Sequence, residues 1–293
     1  MIEHAAWPTR VPVAPGIELQ VLTRGLDHPG TPVLLVHGLA SNARLWDGVA
    51  EQLAAAGHPV AAVDQRGHGR SDKPDSGYDF ATLTDDLLAV LDKLGWQDGD
   101  RTPWLAGQSW GASVVLEVAA RHPEATGGLV LVDGGTMDLA ARFADWATCE
   151  AALAPPPLAG TSAAGFERLL RTSHPDWPES GIAGTLANVE VLADGTIRPW
   201  LSRPNHMTIL RHMWEHHLSD RYALVKVPVL ILPAEDEGNQ RWMAGKRQEV
   251  ARAGAALERS VTRWVSGDHD LHAQHPDLVA ELIHDATGSG FFP

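Results

Sequence analysis

With 293 residues, 44% of them hydrophobic and 20% charged, the chain has the make-up of one large domain, or of one domain carrying an insertion, and a wholly disordered chain is excluded. A formal charge of −14 argues against nucleic acid and anionic membrane as partners, because phosphate attraction needs clustered Lys and Arg. No apolar run approaches the length of a membrane span, and Cys149 as the single cysteine excludes an internal disulfide and any cysteine-built zinc or iron–sulfur site.

Residues 1–7 carry neither the basic nor the apolar segment of a secretory signal, so a cytoplasmic location is expected. From there, short runs rich in Val, Leu and Ile predict strands at 17–22, 33–36, 60–63, 104–106 and 129–132. Helical patterns fall between them at about 44–56, 80–94 and 109–121. The alternation stops after residue 133. It resumes with strands at 229–232 and 261–265 and helices at about 239–253 and 274–286. Unbroken apolar strands alternating with helices predict an α/β fold with a mostly parallel sheet covered on both faces. Such sheets bind ligands at the carboxyl ends of their strands. Residues 1–133 and 223–293 therefore read as the core.

Residues 134–222 read as a mostly helical insertion, a cap over the strand ends. The stretch has a Pro155-Pro156-Pro157 break, and Trp146, Trp177, Trp200 and Trp214 fall inside it. Substrate choice is expected here, since a core supplies only the reaction. His37, Trp146, Asn205, His206, Met207 and Trp214 are the expected pocket residues, and an apolar acyl, alkyl or aromatic group is the modest inference. The same stretch holds His212-Met213-Trp214-Glu215-His216, which fits the zinc-protease pattern H-x-x-E-H on a helix at 207–217. No third ligand is assignable, so an amphipathic cap helix is the expectation and no metal is expected.

The chemistry centres on Gly107-Gln108-Ser109-Trp110-Gly111. A strand followed at once by a helix needs a very tight turn there, and side chains two residues either side of Ser109 would clash, hence the glycines. A serine hydroxyl is a weak nucleophile and needs an adjacent base, itself oriented by an acid. His269 follows the strand at 261–265 in a glycine-containing loop and is the candidate base. His269, His272 and His275 as a metal face is the rival reading, but Pro276 starts a new helix after His275. His272 and His275 are expected as surface or capping residues.

These motifs together resemble the α/β-hydrolase superfamily, over nearly the whole chain. Val33-Leu34-Leu35-Val36-His37-Gly38-Leu39 resembles its strand and His-Gly oxyanion loop. Asp64-Gln65-Arg66-Gly67-His68-Gly69-Arg70-Ser71 resembles its D-x-R-G-x-G-x-S loop. Gly267-Asp268-His269-Asp270 resembles the late loop bearing the catalytic histidine. The resemblance implies Ser109 as nucleophile, His269 as base, and the backbone N–H groups of Leu39 and Trp110 as the oxyanion hole, with His37 bracing the loop. Asp64 and Arg66 are expected to hold a loop together. The acid stays open: Asp133 ends a strand at a position that some members use. Asp236 follows the strand at 229–232, the commoner position, but Ala234-Glu235-Asp236-Glu237 departs from the usual Gly-x-x-Asp and puts Glu237 where Asp is usual. Asp133 is preferred, then Asp236, then Glu237.

A serine at the elbow points to acyl transfer to water from an ester, lactone, thioester or amide. It argues against haloalkane dehalogenase and epoxide hydrolase chemistry, for which the family uses Asp, and against dienelactone-type chemistry, which uses Cys. The implied activity is a cofactor-free serine esterase acting on a small molecule. Carbon–carbon bond hydrolysis, lyase or perhydrolase chemistry on the same triad, and a hydrolase-like small-molecule binding protein, are the alternatives.

Overall fold

The computed structural model describes residues 7–97, 101–158, 160–236, 238, 240–288 and 290–292. In chain order its first strands are β1 (Trp7–Ala14), β2 (Ile17–Arg24), β3 (Val33–Val36), β4 (Val60–Val63), β5 (Trp104–Gln108) and β6 (Gly128–Val132). They are followed by β7 (Val189–Val191), β8 (Ile197–Pro199), β9 (Val229–Leu232), β10 (Ala234–Glu235), β11 (Ser260–Thr262) and β12 (Val265–Ser266). Among the described residues one sheet runs in the order β1-β2-β4-β3-β5-β6-β9-β11. Its β1–β2 and β2–β4 pairs are antiparallel and the rest are parallel.

The helices of the core are α1 (Asp47–Ala55), α2 (Phe80–Lys93) and α3 (Trp110–Arg121). Alternation along each strand divides the apolar side chains between the two faces. Leu34, Val36, Leu105, Leu129 and Leu131 pack with Leu83, Leu87, Val114 and Leu116 of α2 and α3. Val33, Leu35, Ala106, Val130 and Val132 face Val49 and Leu53 of α1 on the other side. Each fully buried Val or Leu among these contributes about 1.5–3 kcal/mol relative to exposure.

Residues 134–222 hold α4 (Leu139–Arg142), α5 (Trp146–Leu153), α6 (Ala163–Ser173), α7 (Glu179–Leu186) and α8 (Arg203–Glu215). The antiparallel hairpin β7–β8 lies among them. The chain then returns to the sheet and finishes with α9 (Gln240–Ala256), α10 (Leu271–Gln274) and α11 (Pro276–Thr287). None of the helices, among the described residues, is long and apolar enough to cross a membrane.

Four features differ from the sequence expectations. β1 has no clean alternation because it is an edge strand paired on one side only, with β2. The run at 261–265 is two strands, since Thr262 pairs with Ile231 of β9 whereas Val265 pairs with Ala234 of β10. Pro233 stands between β9 and β10 and has no N–H to give a continuous ladder. The hairpin β7–β8 is too short to show a period, and Gly195 (φ +79°) turns it through a bond from its N–H to the Leu192 carbonyl. α8 starts four residues before the expected 207 because Ser202 caps it, accepting from the Asn205 N–H at 3.2 Å.

Candidate active site

Ser109 sits between β5 and α3 with φ 54° and ψ −120°, a strained backbone for a side-chain-bearing residue. The glycines on either side are there because the turn is closed. A Cβ on Gly107 would lie 2.3 Å from the Gly111 carbonyl oxygen, and one on Gly111 would lie 2.4 Å from that of Val36. The Ser109 N–H donates to the Val132 carbonyl at 3.0 Å, which ties the elbow to the end of β6. Helix α3 begins at Trp110 rather than at 109, and this leaves Ser109 outside the helix at the end of the strand.

The end of β6 carries Asp133, which also has a positive φ of 41°. Its Oδ2 accepts from His269 Nδ1–H at 2.7 Å, and the Ser109 hydroxyl lies 3.0 Å from His269 Nε2. A carboxylate, an imidazole and a hydroxyl therefore stand in line, each within hydrogen-bond reach of the next. The Asp133 side chain is buried while that of His269 is 57% exposed, so the ring edge is open to an incoming molecule. The crowding of protein around His269 pulls its pKa down, but the Asp133 hydrogen bond and the charges of Asp270 and Asp133 outweigh this and raise it above the ordinary imidazole value. Burial pushes the Asp133 carboxyl up, yet the bond and charge of His269 and the ammonium of Lys246 hold it below the usual carboxylate range.

The loop bearing His269 is tied down from both sides. Gln108 Nε2 donates to the His269 carbonyl at 3.1 Å. Asp268 accepts from Trp177 Nε1 at 3.0 Å and meets His174 Nδ1 at 3.2 Å, so residues of the 134–222 segment brace it.

The loop after β3 passes close to the elbow, since a Cβ on Gly38 would lie 3.0 Å from that of Ser109. His37 is fully buried. Its Nε2 accepts from the Gln65 N–H at 3.0 Å, so its Nδ1 carries the proton and donates to the Gly38 carbonyl at 2.7 Å. In a trans peptide the C=O and the following N–H point opposite ways. Pinning the Gly38 oxygen toward His37 turns the Leu39 N–H away from that ring. His68 Nε2 accepts from the Ala40 N–H at 3.2 Å, where Ala40 has φ +60°. Burial lowers the pKa of both His37 and His68, which keeps them neutral. The Trp110 N–H opens α3, where an anion is favoured by the helix end.

Asp236 is exposed, and its Oδ1 accepts from the Gly238 N–H at 2.8 Å, an Asx turn. Glu237 lies outside the described residues. Asp64 accepts from Ala43 and Arg70 N–H groups, and Arg66 makes a forked pair with Asp86 at 2.6 Å for both bonds. Both hold loops.

Of the six residues expected at a substrate pocket, His206 lines a cavity of about 950 Å³, together with Ala40, Leu158, Phe166, Trp200 and Leu201. The other five differ from the expectation. His37 is sealed in the loop. Asn205 Nδ2 donates to the Tyr78 hydroxyl at 2.8 Å and to the Pro74 carbonyl at 3.2 Å. Trp146, Met207 and Trp214 pack in a separate cluster around Leu139, Cys149 and Leu210. Neighbours on a helix point about 100° apart, so His206 and Met207 face different sides of α8.

The H-x-x-E-H residues are also engaged elsewhere. His216 stacks on Phe80 at 3.7 Å and meets Glu117 at 3.2 Å, and Glu215 pairs with Arg211 at 2.6 Å. Among the described residues no group of three His, Cys, Asp or Glu side chains is placed to hold a metal ion. His272, expected at the surface, is instead fully buried against Trp46 at 4.3 Å, and burial lowers its pKa to about 3. His275 stands at the N-terminal boundary of α11, as its proline neighbour suggests.

Lys246 is the residue that sequence reading missed. Its Nζ lies 2.5 Å from Asp133 Oδ1 and donates to the Ala234 carbonyl at 2.7 Å. No local signal announces it, because a lysine in an amphipathic helix reads as solvated surface.

The model of the "Alpha/beta hydrolase family" matches residues 33–282. Epoxide hydrolase A of Mycobacterium tuberculosis (strain ATCC 25618 / H37Rv) is 39% identical over 112 residues, 37% of this chain and 33% of that protein. The matched stretch thus spans about a third of that curated relative. Among solved structures, E-2-(acetamidomethylene)succinate hydrolase superposes with a TM-score of 0.72 at 23% identity, covering 95% of this chain and 97% of that one. The thioesterase domain from the curacin biosynthetic pathway gives 0.73 at 21% identity, with 95% and 99% covered. At these identities the structural likeness speaks for the fold.

Proposed function

The chain belongs to the alpha/beta hydrolase family, and from that premise we propose that it is a serine hydrolase cleaving a small or medium carboxylic ester, lactone or thioester through an acyl-enzyme on Ser109. The observation that carries this reading is the line from Asp133 through His269 to Ser109, at 2.7 and 3.0 Å. Ser109 Oγ attacks the acyl carbon as its proton passes to His269 Nε2. Asp133 holds the ring with Nδ1 protonated and stabilises the imidazolium that forms. The carbonyl oxygen gathers negative charge and takes the N–H groups of Leu39 and Trp110, each such donor being worth about 10²–10³ in rate. His269 then protonates the leaving group, and water enters by the reverse sequence to free the acid.

Residues 134–222 act as the cap in this reading, and the apolar acyl or alkyl group is assigned to the cavity of about 950 Å³, which is lined by Ala40 of the loop after β3 and not by Ser109 or His269 themselves. The likeness to an epoxide hydrolase does not extend to its chemistry. Serine opening an epoxide leaves an ether, which water at this site cannot cleave, whereas the ester left by a carboxylate nucleophile can be cleaved.

Ser109→Ala tests the reading. Its turnover of p-nitrophenyl esters falls by at least about 10³ while its circular dichroism and melting temperature stay unchanged. The wild-type protein, quenched early in turnover, carries an acyl adduct on Ser109 by mass spectrometry. Near wild-type turnover by a contaminant-free Ser109→Ala preparation would overturn it.

A further inference from the structure

We propose that Lys246 is a positioning residue, which fixes the Asp133 carboxylate for His269 and restrains protonation of that imidazole. Lys246 lies in α9 with its side chain only 12% exposed. Taking an ammonium out of water is costly unless it is paired. Here it is paired with the one carboxylate that also serves His269, at 2.5 Å, and its second bond goes to the Ala234 carbonyl. The Ala234 N–H in turn donates to Asp133 Oδ1 at 2.8 Å. Oδ1 is therefore held by two donors, and Oδ2 is left pointing at His269. The arrangement closes a ring between α9, the end of β6 and the start of β10.

The same ring has an electrostatic consequence. Once Asp133 shares its charge with an ammonium, a proton arriving on His269 places a second cation on one carboxylate. The groups facing His269 are Asp133 from β6, Lys246 from α9, Asp270 and Asp268 from its own loop, and His272 from α10. Asp268 is engaged by His174 and Trp177, and His272 is neutral. Two carboxylates, Asp133 and Asp270, thus raise the imidazole pKa, and Lys246 opposes them. Glu249 meets Arg142 at 3.2 Å and Glu235 meets Arg247 at 2.7 Å, and the carboxylate that the Lys246 ammonium itself meets is Asp133. Lys246 in this way keeps a larger fraction of His269 in the neutral form that can accept the Ser109 proton.

The inference rests on the serine-hydrolase reading, and the two fail differently. If that reading is wrong, Ser109→Ala keeps its turnover. If only this inference is wrong, turnover remains dependent on Ser109.

The test is the pH profile of kcat/KM on p-nitrophenyl acetate. Lys246→Met removes the opposing cation, so the acid limb moves to higher pH by about one unit. Lys246→Arg keeps a cation and leaves the limb within about 0.3 unit, even where kcat changes. Lys246→Cys provides a second, fold-independent comparison on one protein. Its limb lies high, and alkylation with bromoethylamine, which restores an ammonium of nearly the same length, brings it back down. Titration of the His269 ring proton by NMR follows the same order. A merely structural lysine lowers kcat with the limb in place. A limb that stays fixed in folded Lys246→Met, or that fails to return on alkylation of Lys246→Cys, would overturn the inference.

Discussion

Replacing Asp133 by Asn is the most informative single perturbation, because the surroundings dictate which way the new amide sits. The Oδ1 position faces two donors, the Ala234 N–H at 2.8 Å and the Lys246 ammonium at 2.5 Å. An amide NH₂ there would meet both head-on, so the Asn carbonyl oxygen takes that place. The NH₂ then occupies the Oδ2 position, 2.7 Å from His269 Nδ1. It donates, so Nδ1 must accept, and the ring proton moves to Nε2. A protonated Nε2 cannot take the proton of Ser109, 3.0 Å away. The size of the side chain is unchanged, so the loss comes from the tautomer and from the missing charge behind the imidazolium. Together these cost about 10⁴ in kcat, or about 5.5 kcal/mol of barrier. The assay is steady-state hydrolysis of p-nitrophenyl butyrate across pH, with Asp236→Asn measured beside it. Asp236 is exposed and closes only a local turn, so its variant loses less than about threefold. Asp133→Asn within tenfold of wild type, with Asp236→Asn down by thousands, would refute the reasoning and move the acid to the loop after β10.

Two predictions concern stability. Arg66 and Asp86 form a forked pair with both side chains 4% exposed; Arg66→Met strands a buried carboxylate and costs about 3–5 kcal/mol in urea unfolding, whereas Arg66→Met with Asp86→Leu recovers most of it. A loss below about 1 kcal/mol in the single variant would show that Asp86 finds another partner. Glu117 has a fully buried side chain among Arg121, Arg221 and His216. Burial raises its pKa, but the bonds to His216 and Arg121 and the charges of His216 and Arg221 prevail and bring it to about 2. A depressed folded-state value means stability present above the unfolded pKa and lost as pH falls through the folded one. Glu117→Gln is therefore less stable than wild type at neutral pH, and the gap in urea midpoint narrows as pH falls from about 5 to about 2. A gap independent of pH would rule out the ionised form as its source.

Much of the fold was legible in one dimension because its signals are local. β3, β4 and β9 announce themselves as four-residue apolar runs, since a strand covered on both faces has no polar side to show. Ser109 was legible because a turn tight enough to exclude Cβ atoms at 107 and 111 demands glycine at both places, whatever lies around it. His269 stood out for a similar reason, as the one histidine in a glycine loop directly after a late strand.

The rest depends on which chain segments meet. Asp133 and Asp236 both follow apolar strands, and nothing within either segment says which carboxylate reaches the imidazole. The pairing of β10 with β12 sets the His269 loop beside the end of β6, and that decides between them. Lys246 and His272 show the same limit in opposite senses. A helical lysine reads as surface and is buried on a carboxylate, while a histidine near a helix start reads as surface and is packed on Trp46. Five of the six expected pocket residues were chosen by type within one segment, and His37 from the loop after β3. The angular step along α8 and the path of the hairpin decide that His206 reaches the cavity while Met207 and Trp214 turn into the cluster around Leu210. Spacing along a chain fixes period and turn, but a side chain's neighbours come from elements far apart in sequence, and only the folded arrangement brings them within the few ångströms over which hydrogen bonds and charges act.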